Sequence, residues 1–193
     1  MDFNNLEKDI IKNLSAHLDK KLLYHNVEHT REVLSFTEFL AKEENLSEYY
    51  TTIVKTAALL HDIGFLHVYD FHEEYSLKII PEILAKYNYS NEDIKIVNRL
   101  IIATEIPIQP KDNLEMILCD ADLAYLGHQD YYHKSFLLFT EWHYFNRGMT
   151  LKEWYKLQLE FLTNHKFHTK YCIENREPFK QKIIFQIKSM LIT

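Results

Sequence analysis

The sequence is poor in the residues that punctuate sheets and loops, with three glycines and four prolines in 193 residues. Sheets and long loops draw heavily on both, so their scarcity favours helices. Cysteine is nearly missing. Cys119 and Cys172 stand alone, without a CxxC pair, which excludes a disulfide scaffold. There is no excess of basic charge: 22 Lys and Arg face 28 Asp and Glu, a net charge of -6. Bulk electrostatic binding of duplex DNA is therefore not expected. No apolar run approaches the length of a membrane span, and MDFNNLEKDI lacks an apolar export segment, so no membrane partner and a cytoplasmic location are expected. A Gly-rich nucleotide loop is also missing.

Apolar and aromatic side chains are plentiful. Hydrophobic residues make up 47% of the chain, with 13 Tyr and 12 Phe among them, enough for one substantial core. Apolar residues recur at helical spacing over 5–20, through Leu6, Ile10, Leu14 and Leu18, and again over 26–43. Ser47 caps a helix that runs to about His61. Residues 62–74 read as a loop rich in His and aromatics. Further helices are expected over 75–87 (with Pro81 inside), 91–103 (capped by Ser90), 114–126 (closed by Gly127) and 129–146. Thr150 caps 151–164, and 169–191 is helical with a break near Pro178. No segment alternates at period two. The expected architecture is an all-α bundle of about eight helices, with 1–193 as a single domain.

Four segments carry polar chemistry. YHNVEH places His25 and His29 four apart, on one face if this segment is helix. LLHDIG delivers His61 and Asp62 from an apolar helix. HVYDFHEEYS holds His67, Asp70, His72, Glu73 and Glu74. LCDADLAYLG sets Asp120 and Asp122 among apolar neighbours. Each has a bland alternative: a helix cap, a turn residue, or a helix beginning at Asp120. Yet Asp is almost never buried unless it is paired or binds a metal. Imidazole and carboxylate together suit Mn, Fe, Co, Ni or Zn, and the lack of thiolates speaks against a structural zinc knot. Two histidines and two aspartates leave room for water on such an ion, and that water can attack phosphorus near neutral pH.

In their order along the chain, YHNVEHT, LLHDIG, HExxS over His72–Ser76 and DADL resemble the HD-domain phosphohydrolase family over roughly residues 24–127. The resemblance implies an HD-domain-like helical bundle, with a core over 20–130 and an added C-terminal helical layer over 130–191. It implies hydrolysis of a phosphate ester, with nucleotides and cyclic nucleotides as frequent substrates. Its metal ligands fall on His29, His61, Asp62 and Asp122, with Asp120 a rival or supporting acceptor for the last position. Mg is also admitted. Members with extra histidines hold two metals, which makes His67 and His72 candidates for a second ion.

Asp62, His72 and Glu73 are the candidate catalytic groups. His25, Arg31, Lys78, Arg99 and Arg147 are candidates for substrate contact, and Arg176 for closing the pocket from the tail. Each of these cations has a solvated surface charge as its bland alternative. Trp142 and Trp154 read as packing anchors. A homodimer through aromatic helix faces is compatible with the composition. Three rival functions remain. HNVEH matches an inverted zinc-peptidase motif, with His25 and His29 on zinc and Glu28 as base. A non-catalytic metal or nucleotide sensor, or partner-binding module, would keep the same pocket. A paired-iron oxygenase is the third.

Overall fold

A run such as IVKTAALL, apolar except at Lys55 and Thr56, is stable as a helix enclosed by others, and the first unit of the chain is organised around it. The structure, a computed structural model, describes residues 1–145 and 147–192. All regular elements among the described residues are helical. The chain divides into two compact units, Met1–Asp122 and Leu123 onward.

The first unit contains α1 (Phe3–His17), α2 (Val27–Glu43), α3 (Glu48–Leu60), a 3-10 turn (Ile63–Leu66), α4 (His72–Ala85), α5 (Asn91–Ile102) and α6 (Asn113–Asp122). Helix α3 lies at its centre, packed by α1, α2, α5 and α6. Ile53, Val54, Ala57, Ala58, Leu59 and Leu60 are all buried, and each of the larger ones contributes about 1.5–3 kcal/mol by leaving water. Caps fix where the helices start. Ser47 accepts from the Tyr50 N–H, and Ser90 and Asp93 form a reciprocal capping box on α5. Asn26 caps α2 by accepting from the N–H groups of Glu28 and His29, so the entry of the His29 helix is pinned, and His25 precedes the helix instead of sharing a helical face with His29.

The second unit contains a 3-10 turn (Ala124–Gly127), α7 (Tyr131–Tyr144), α8 (Leu151–Asn164), α9 (Lys170–Asn175) and α10 (Glu177–Ile192). Helix α10 packs on α8 and α9. Trp154 is buried, donates from Nε1 to Ser135 Oγ at 3.0 Å, and meets Trp142 edge to face. Both tryptophans are packing anchors, as their sequence context suggests. Cys119 and Cys172 are free and buried.

Several predicted boundaries shift. The segment 62–74 is not one loop: it contains the 3-10 turn, and α4 already starts at His72. Phe71 precedes it in the left-handed region (φ 61°) without a side-chain cap, which is why no cap marks this start in the sequence. The helix expected over 114–126 stops at Asp122, and a 3-10 turn over Ala124–Gly127 follows. Asp120 does not begin a helix; it sits in the last turn of α6, fully buried. The tail breaks at Arg176, and Pro178 falls in the first turn of α10, where a missing N–H is harmless. Helix α7 ends at Tyr144, and the predicted end at Asn146 lies outside the described residues.

Candidate metal centre

The site is assembled at three helix ends of the first unit. His29 projects from the first turn of α2. His61 and Asp62 follow α3 directly, as its C-cap and the start of the next turn. Asp122 is the last residue of α6. Nε2 of His29 lies 3.4 Å from Nε2 of His61 and 3.1 Å from Oδ1 of Asp122. His61 Nε2 is 3.5 Å from the same oxygen. Asp62 Oδ2 is 3.5 Å from His29 Nε2 and 3.2 Å from His61 Nε2. Donors bound about 2.0–2.2 Å from one ion lie roughly 3–4 Å from one another, and these atoms do so. The His29, His61 and Asp122 triad is capable of binding a divalent metal, its ligand atoms all within 4.8 Å of one another.

The tautomer of His61 fits that role. Its Nδ1 meets the Ala58 carbonyl at 2.8 Å. A carbonyl can only accept, so Nδ1 carries a proton, and in the neutral imidazole Nε2 turns a lone pair toward the centre. Two imidazole nitrogens facing each other beside two carboxylates make sense around a cation. Asp62 Oδ2 is one sign of it: it is buried, and its polar neighbours are the two imidazole nitrogens of His61 and His29. Without an ion its partner is the protonated His61 ring, with Nε2 at 3.2 Å; with His61 neutral, the ion takes over that balancing role. Such a buried charged oxygen is costly unless a cation balances it.

Without an ion, the groups balance one another. Burial disfavours the charged form of His61, but the Asp62 and Asp122 carboxylates outweigh it and hold its pKa well above the ordinary value. Burial likewise pushes both carboxyls up, and the neighbouring histidines overcome it: His61 first for Asp62, His29 first for Asp122. Both end well below the usual carboxylate range.

Asp62 also faces a second group. Its Oδ1 lies 3.3 Å from His72 Nε2, and His72 Nδ1 lies 3.2 Å from Glu73 Oε2. The His72 ring stacks on Phe65 at 3.8 Å, and His25 stacks on the same Phe65 at 4.5 Å. The structure thus brings together His25, His29, His61, Asp62, His72, Glu73 and Asp122. His67 is not gathered there: it is exposed, its ring against Tyr75. The proposed phosphate contacts are occupied or outward. Arg31 pairs with Glu28 at 2.6 Å on α2, and Arg99 pairs with Asp112 and Glu115. Lys78 is exposed on α4, and Arg147 is exposed over the Trp142 ring of the second unit. Arg176 caps the end of α9 in that unit. Ala58, Phe65 and Ser76 were not singled out as site residues from sequence. Only Ser76 left a trace there, as the last residue of HExxS.

The HD domain family model matches residues 26–124, and the chain belongs to the HD domain family. An uncharacterized protein of Clostridium beijerinckii is 34% identical over 94 residues, which are 47% of this chain and 59% of that relative. The match thus spans less than two thirds of the relative's own length. Among solved structures, the crystal structure of Bacillus subtilis YpgQ in complex with ADP resembles this one with a TM-score of 0.67 at 18% identity. It covers 98% of this chain and 97% of the other. That likeness establishes a shared fold.

Proposed function

We propose that this protein is a metal-dependent phosphohydrolase that cleaves a phosphate ester, a nucleotide or cyclic nucleotide being the favoured substrate class. One observation carries the reading: the ligand atoms of His29, His61 and Asp122 lie within 4.8 Å of one another, with the buried Oδ2 of Asp62 beside the same two imidazole nitrogens. His29, His61, Asp62 and Asp122 would hold the ion. Their nitrogen and oxygen donors suit Mn, Fe, Co, Ni or Zn better than Mg. When bound, such an ion supplies Lewis acidity to a phosphoryl oxygen and lowers the pKa of water it carries.

The chain's own groups then have separate tasks. Asp62 spans both halves of the site through its two oxygens. His72, between Asp62 and Glu73, is placed to hold a proton and pass it to a leaving oxygen. Glu73 orients the imidazole from its far side. His25 completes the aromatic wall on Phe65. ADP in the YpgQ crystal supports a nucleotide as the first substrate to try.

The test is elemental analysis of protein purified without chelator, joined to a phosphoesterase screen with Mn, Co and Ni. The substrates are mononucleotides, dinucleotides, cyclic nucleotides and simple phosphate esters. Chelator-reversible turnover of at least one of them is expected. Bound metal without any turnover would overturn the hydrolase reading in favour of a sensor.

A further inference from the structure

We infer that Ser76 is a positioning residue, whose hydroxyl locks the His61–Asp62 turn to the start of α4 and so fixes His72 against Asp62. The inference rests on the proposed hydrolytic role of that site. Ser76 is fully buried one turn into α4. Its Oγ accepts from the Gly64 N–H at 2.9 Å. Its single proton is within reach of two carbonyls, that of His72 at 2.9 Å and that of His61 at 3.2 Å. The bond to His72 is the ordinary reach of a helical serine to the residue four back. The other two are not: they tie Ser76 to the turn that presents the His-Asp pair.

That turn leaves no slack. A Cβ on Gly64 would lie 2.0 Å from the His72 carbonyl oxygen and 2.9 Å from Ser76 Oγ, so backbone meets backbone here without an intervening side chain. The next residue, Phe65, lays its ring on His72 at an interplanar angle of 17°. Gly64 thus sets the main chain of His72, and Phe65 sets its ring. Ser76 holds the two segments together. Removing the hydroxyl leaves the Gly64 N–H buried without an acceptor, and the turn and the helix start are then free to separate. The first contact to lengthen is His72 Nε2 to Asp62 Oδ1. The donors of His29, His61 and Asp122 come from other helix ends and stay in place.

The test compares wild type with Ser76→Ala and Ser76→Cys, the latter keeping a weak hydrogen-bonding group at the same position. The direct readout is the rate at which diethyl pyrocarbonate modifies His72 in Mn-loaded protein, followed by mass spectrometry. The expected result is faster labelling of His72 in Ser76→Ala and an intermediate rate in Ser76→Cys, with Mn affinity unchanged. On a substrate found in the screen above, kcat should fall about 10- to 100-fold with little change in KM, the scale of a displaced catalytic group. In a His72→Gln background the same serine substitution should have no further effect on kcat. Should Ser76→Ala not fold, Ser76→Cys decides. Unchanged His72 labelling in a folded variant overturns the inference, as does an additive loss in the His72→Gln background. Wild type that binds Mn but turns over nothing would overturn the hydrolase reading alone, because the labelling readout needs no substrate.

Discussion

Asp62 meets His72 through Oδ1, at 3.3 Å from Nε2, and keeps Oδ2 for the opposite side of the site. One carboxylate therefore belongs to two sets of histidines, His29 and His61 on one flank and His72 on the other. Replacing Asp62 disturbs both, whereas replacing His72 disturbs one. Asp62→Asn should lose metal affinity and turnover together, while His72→Gln should retain metal and lose kcat by about 10²-fold or more, as for a removed general acid. Elemental analysis beside steady-state kinetics checks the split.

Of the proposed ligands, His61 is tied to the main chain through the Ala58 carbonyl. His61→Ala should reduce metal affinity by at least about 100-fold, beyond what loss of a supporting partner costs, and abolish turnover. Isothermal calorimetry with Mn measures it. Retained metal in this variant would instead favour the inverted zinc-peptidase arrangement on His25 and His29.

Proton linkage gives the third prediction. His61 has a raised pKa in the ion-free protein, so its pairing contributes stability that is fully present below the unfolded value near ~6.5 and is lost as pH rises through the raised folded value. Asp62 and Asp122 are lowered, so their contribution is present above the unfolded value near ~3.9 and fades as pH falls below it. Metal must displace the His61 proton, so affinity should increase with pH. Melting curves across pH, with chelator and with Mn, should diverge most on the alkaline side. Calorimetry in two buffers of different ionisation enthalpy should register proton release.

Gly64→Ala should cost roughly 3 kcal/mol of stability, the upper range for overpacking, because the new methyl would press on the His72 carbonyl oxygen at 2.0 Å. Chemical denaturation measures the cost. A variant that folds should still show weakened activity.

A fifth prediction concerns the second unit. Burial, then the charge of Lys180, pushes the His165 pKa down to about 3. Its Nδ1 lies 3.3 Å from the buried Lys180 ammonium, which also bonds the His165 carbonyl and Glu177. A lowered histidine leaves stability intact above the unfolded value near ~6.5 and removes it as pH falls toward the folded value, at about 1.4 kcal/mol per pH unit. His165→Asn should flatten that acid limb in urea titrations between pH 6 and 4.

Much of this architecture is legible in the sequence because its helices are marked by local chemistry. Ser47, Ser90 and Thr150 each cap the helix they precede, and Leu6, Ile10 and Leu14 face inward from α1. The convergence of His29 and His61 is legible from the order of the motifs rather than from either residue alone, since a single histidine at a helix end has a bland alternative. The choice of Asp122 over Asp120 is less so. It depends on α6 ending at Asp122, before a 3-10 turn that no cap residue announces. The α4 start is hidden for a similar reason: Phe71 adopts a left-handed conformation that its residue type does not advertise. The cations were the least legible group. Whether an arginine meets a phosphate or a neighbouring carboxylate is decided by Glu28, Asp112 and Glu115, and only folding brings the last two to Arg99.

The Ala58 carbonyl has a consequence for how this site can drift. It belongs to the main chain, so no change of side chain at position 58 can take away the acceptor that keeps the His61 proton on Nδ1. Protonation geometry at this imidazole is inherited from the coil of α3, and can be lost only by uncoiling its final turn. Metal affinity in variants far from the centre would therefore serve as a gauge of whether that one turn remains wound.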